Sequence, residues 1–76
     1  MMYYDKFTLI SEREKEVLQL VAYEYSSKEI AQQLFISTNT VNTHKKNLRS
    51  KLDVKNLAGM VRKGFELGIL ELEIRA

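Results

Sequence analysis

Apolar residues recur along this chain at helical spacing in four stretches, each opened by a small polar residue. Val17, Leu18, Leu20 and Val21 form the first stripe, with Tyr25 one turn beyond Val21. Ser11-Glu12-Arg13-Glu14 precedes it and reads as a capping box, in which the serine hydroxyl and the Glu14 carboxylate each satisfy a free backbone N–H. Glu12, Glu14 and Glu16 also suit the positive end of that helix dipole. Glu12 and Glu16, beside Arg13 and Lys15, read as an exposed face with no catalytic role. A second box, Ser26-Ser27-Lys28-Glu29, opens a shorter helix to about Leu34, with Ile30, Ala31 and Leu34 on its buried side. Phe35-Ile36 follows without Gly or Pro, so the link to the next helix is expected to be short, apolar and buried. Such a link fixes the angle between two helices, which is the physical content of a helix-turn-helix.

The third helix is expected to be capped by Ser37 or Thr38. Val41, Leu48 and Leu52 point inward, with His44 or Lys45 nearest the missing turn. Asn39, Asn42, Thr43, Lys46, Arg49 and Ser50 make up the opposite face. Asp53 follows where the helix ends, a residue that tolerates left-handed backbone. Asn56 caps a fourth helix carrying Leu57, Met60, Val61, Gly64, Phe65 and Leu67 before Gly68 stops it. Residues 1–9 have no helical period and read as an irregular arm whose Tyr3, Tyr4 and Phe7 pack on the helices. From Leu70 to Arg75 apolar and charged residues alternate as in a strand, yet Leu67, Leu70 and Ile74 also fit a helical stripe; a short flexible end is the default. The fold class expected is all-α, a four-helix bundle over residues 1–76 with its core at about 9–70, the helix-turn-helix at about 26–52 and the fourth helix at about 56–67.

Length and composition narrow the picture. Seventy-six residues form one small domain, and an apolar share of 45% with 29% charged residues is that of an ordinary globular chain. Without cysteine there is no disulfide framework or thiolate metal site, which agrees with a cytoplasmic location. No apolar run is long enough to span a membrane. His44 is the lone histidine and its helix holds no carboxylate, so neither a catalytic triad nor a metal site is expected; catalytic residues, metal and cofactor are all read as none.

Charge adds more when it is divided along the chain. The net charge is +2. Residues 1–29 hold four basic and six acidic side chains, and residues 53–76 hold four of each. Residues 30–52 hold Lys45, Lys46, Arg49 and Lys51 and no acid. The positive excess therefore lies on the third helix, as expected of a surface that meets phosphates. Asn, Thr and Lys can read base edges in a major groove, while Lys45, Arg49 and Lys51 flank that face at the height of phosphates. Double-stranded DNA is the partner this combination favours over a merely wet face or a small protein-interaction module. Gly64, beside Met60 and Phe65, would let another backbone approach. A pair of fourth helices across a twofold axis would lengthen the DNA site read, the alternative being that this helix is consumed by its own core.

ISEREKEVLQLVA, SSKEIAQQLFIS and TVNTHKKNLRSKLDV together closely resemble the LuxR/FixJ-type helix-turn-helix domain, from about Leu9 to Leu70. The resemblance implies four helices, DNA binding as a homodimer on a pseudo-palindromic site, and transcription regulation in bacteria. It sets aside the related helix-turn-helix of a sigma factor. Thr40 and Val41 match the family's Thr-Val opening of the recognition helix, and His44 its His. Asn42, Thr43 and Lys46 occupy base-facing positions, with Thr38, Thr40, Lys45 and Arg49 as backbone or recognition-helix contacts. The family's dimer contact would fall here on Leu57, Met60, Val61 and Gly64. Most family members join this domain to a receiver or sensor domain, in the same chain or as a separate partner. Four departures stand out. Glu24 replaces a usual Gly, so the turn is shaped differently or the first helix runs longer. Asp53 replaces another Gly, Asn42 a common Lys or Arg, and Leu57 a frequent Arg.

Overall fold

The computed structural model describes residues 9–71, so the readings made for the N-terminal arm before Leu9 and for residues 72–76 lie outside the described residues. Among the described residues four helices follow one another: α1 (Glu12–Ala22), α2 (Ser27–Leu34), α3 (Thr38–Leu52) and α4 (Leu57–Glu66). Their starts are those the polar residues mark. Ser11 accepts from the Glu14 N–H while Glu14 accepts from the Ser11 N–H, and Ser26 and Glu29 repeat the exchange. Ser37, not Thr38, caps α3 by accepting from the Thr40 N–H, and Asn56 caps α4 by accepting from Gly59.

The four helix ends share one geometry. Glu24, Phe35, Asp53 and Gly68 have φ of 70, 57, 57 and 78°. In each case the following N–H reaches back five residues: Tyr25 to Leu20, Ile36 to Ala31, Val54 to Arg49 and Ile69 to Gly64, at 2.9–3.1 Å. This is the Schellman arrangement, which turns the chain sharply and satisfies carbonyls the helix leaves free. Only the last end uses glycine. Glu24 takes the left-handed conformation that its family Gly would supply, so α1 stops at Ala22 and does not run on.

Val17 and Leu18 of α1, Ile30 and Ala31 of α2, Val41, Leu48 and Leu52 of α3, and Met60 of α4 form the core. Ile69 and Leu70, just past α4, complete it, so the beginning of the tail is packed and not loose. The link between α2 and α3 departs from expectation. Ile36 is half-buried, but Phe35 is 93% exposed, because a left-handed residue at the apex of the turn carries its side chain away from both helices. The angle between α2 and α3 is therefore held by the helix-end hydrogen bonds and Ile36, not by an apolar pair.

Two further expectations change at α4. Met60 is 0% exposed and Gly64 is buried, so neither offers surface to a second copy. A Cβ on Gly64 would stand 2.8 Å from Leu70 Cδ1 and 3.1 Å from Leu18 Cδ2. The close approach that the glycine permits is thus intramolecular, to the segment that folds back after Gly68. Leu57 and Val61 remain partly exposed.

Candidate nucleic-acid interface

Buried Val41, Leu48 and Leu52 fix the roll of α3 on the core, and half-buried His44 and Lys45 fill the turn between them. That roll turns Asn39, Asn42, Thr43, Lys46, Arg49 and Ser50 to solvent, and Thr38 and Thr40 at the helix start are exposed as well. The helix is 15 residues long, about 22 Å at ~1.5 Å per residue.

Local hydrogen bonds determine what each side chain has left to offer. The Thr43 hydroxyl donates to the Asn39 carbonyl at 3.0 Å, which leaves its methyl group and an oxygen lone pair for a partner. Thr40 Oγ1 lies 2.9 Å from Ser37 Oγ and so belongs to the cap of α3. Asn42 Oδ1 accepts from the Ser27 hydroxyl at 2.8 Å, and Lys45 Nζ donates to the same Ser27 oxygen at 2.6 Å. Burial pulls the pKa of the Lys45 ammonium down. Lys46 and Arg49 take part in no ion pair among the described residues.

Lys51 is a correction. Its ammonium lies 2.8 and 3.0 Å from the two oxygens of Glu14 and donates to the Leu9 carbonyl at 2.9 Å. Glu14 is only 4% exposed. Burial pushes its carboxyl up, but the bond from Lys51, the Ser11 N–H and the positive charges of Lys51 and His44 outweigh that, and its pKa lies below the ordinary value. Lys51 thus ties α3 to the start of α1 and does not flank the polar face. Its sequence gave no warning, since a basic residue in the last turn of a helix suits the dipole wherever it points. Ser27 was missed as well; it reads as a residue inside a capping box, and only the packing of α2 on α3 brings it to Asn42 and Lys45.

The model of the bacterial regulatory proteins of the luxR family matches residues 8–63. The chain belongs to that family. LuxR-family proteins are DNA-binding transcription regulators and not enzymes. The oxygen regulatory protein NreC of Staphylococcus haemolyticus is 39% identical over 67 residues, and that of Staphylococcus aureus 40%. Both alignments take in 88% of this chain and 31% of the relative, so the chain spans about a third of the length of these curated relatives. The solved structure of the transcription factor GerE superimposes with a TM-score of 0.81 at 38% identity, over 86% of this chain and 97% of GerE. No helix among the described residues is long and apolar enough to cross a membrane.

Proposed function

We propose that this luxR-family domain binds double-stranded DNA sequence-specifically, with α3 lying in the major groove. Asn42, Thr43 and Lys46 meet base edges, and Thr38, Thr40, Lys45 and Arg49 meet the backbone on either side. A groove ~12 Å wide admits a helix, and these side chain types supply donors, acceptors and a methyl for the patterns displayed there. The observation that carries the reading is the outer face of α3: exposed, free of acid, with Lys46 and Arg49 in no ion pair among the described residues. Lys45 contributes its charge from the position where Ser27 holds it.

Two copies would bind a pseudo-palindromic site as a homodimer, through the part of α4 that its own core leaves accessible, around Leu57 and Val61. One copy reads too few base pairs to select a site, and twofold pairing doubles the sequence read. The greater length of the NreC relatives supports a receiver or sensor domain, in a longer chain or as a separate partner, that governs access to DNA.

Selecting bound duplexes from a random pool tests the reading. Enriched sites should have twofold symmetry, and affinity for them should fall steeply as salt rises, because phosphate contacts release counterions. Lys46→Ala should lower affinity by roughly 1–3 kcal/mol and relax preference at one position per half-site. Unchanged duplex affinity in that variant would mean that the reading face is misassigned. A protein-interaction module in place of a DNA reader would enrich no sequence at all.

A further inference from the structure

We propose that Ser27, in the first turn of α2, sets the polarity with which Asn42 meets a base, so that guanine, then thymine, is preferred over adenine where Asn42 reads. This rests on the reading of α3 as the groove helix and adds to it a residue that touches no base.

Three side chains from two helices form a relay. Lys45 Nζ lies 2.6 Å from Ser27 Oγ, and Ser27 Oγ lies 2.8 Å from Asn42 Oδ1. An ammonium can only donate, so it takes a lone pair of the serine oxygen. The single hydroxyl hydrogen is then directed to the Asn42 carbonyl oxygen, and each bond polarises the next. The relay runs from the lysine through the serine to the amide oxygen, and it determines which end of the Asn42 amide is engaged within the protein. Oδ1 is turned to α2 with one of its lone pairs taken by the Ser27 hydroxyl, so the end of the amide left free for a partner is the NH2, with two donors.

That matters because asparagine reads adenine with both ends, accepting from N6 and donating to N7. With its oxygen held toward Ser27, Asn42 does not present both amide ends to one base, and the accepting half of that pair is weakened. Guanine presents two acceptors side by side, N7 and O6, and thymine presents O4. An amide that presents its NH2 matches guanine first, thymine second, and adenine chiefly through N7. Ser27 is thus a positioning residue for base choice.

The test uses the full chain with Ser27→Ala, Ser27→Thr and Asn42→Ala variants, selection from random duplexes, and affinities for single-base variants of the selected site. The position whose preference vanishes in Asn42→Ala is the one Asn42 reads. There the unaltered chain should favour guanine over adenine by roughly tenfold. Ser27→Ala should shift that preference toward adenine without changing the dependence of binding on salt, and Ser27→Thr, which keeps a hydroxyl, should restore it. Adenine favoured by the unaltered chain overturns the proposal, even should Ser27→Ala fail to fold. So does a Ser27→Ala profile identical to that of the unaltered chain. Loss of preference in Lys46→Ala but none in Asn42→Ala overturns it while leaving the groove reading intact. Failure to enrich any sequence overturns both.

Discussion

Glu24 and Phe35 hold φ values of 70 and 57°, where a residue with a Cβ pays roughly 1–2 kcal/mol relative to right-handed backbone. Neither is rescued by packing: Phe35 is 93% exposed, and Glu24 makes no side-chain hydrogen bond or ion pair among the described residues. Replacing either by Gly relieves that strain but gives the unfolded chain more freedom, worth about 0.4–1 kcal/mol in the other direction. Glu24→Gly and Phe35→Gly should each raise stability by up to about 1 kcal/mol in urea unfolding. Asp53→Gly should change it less, because Asp enters the left-handed region more readily. Equal gains at all three sites would show that strain at Glu24 and Phe35 is not what sets the effect. These residues also mark where sequence reading reached its limit. Asp53 and Gly68 announce a left-handed turn by their chemistry; Phe35 does not, so an apolar link read as buried is instead held open by backbone geometry. Ser11, Ser26 and Asn56 were legible, and Ser37 to within one residue, because a cap depends on a local side chain and a local N–H.

Contacts between elements were less legible than the elements. The stripe Val41, Leu48 and Leu52 revealed which face of α3 is inward, since helical period alone determines that. Which cation serves the fold and which remains free depends on the neighbouring helix: Lys51 goes to Glu14 and Lys45 to Ser27, partners 37 and 18 residues away. The Glu14–Lys51 pair should make stability depend on acidity. A carboxyl whose pKa is lower in the folded state stabilises the fold above its unfolded pKa, and that contribution fades as pH falls through the folded value. Glu14→Gln should destabilise the domain by about 1–3 kcal/mol at pH 7, with the difference narrowing as pH drops below the ordinary value of 4.5. Urea unfolding of both proteins at pH 7 and pH 3 measures it, and a difference that does not narrow would remove the ion pair as its cause. The burial of Gly64 was equally hidden in the sequence, because it comes with Leu70 folding back over α4.

For the whole molecule, the division of labour is one helix between core and partner. α3 packs on α1, α2 and α4, which leaves one long face outward, while α4 keeps Leu57 and Val61 at the surface after Met60 is enclosed. If that remnant joins two copies on DNA, Leu57→Glu should leave the monomer folded and abolish the cooperativity with which two copies fill a symmetric site. Analytical ultracentrifugation with labelled duplex would show one copy bound per half-site, without cooperativity. Persistence of the cooperative two-to-one complex would place the contact elsewhere. The most direct test of the account as a whole is an NMR titration of the isotope-labelled chain with a selected duplex, following each backbone and side-chain amide. The largest shifts should fall on Asn39, Asn42, Thr43 and Lys46, with little change at Glu14 and Lys51. Shifts centred on α1 or α4, with the outer face of α3 unmoved, would contradict it.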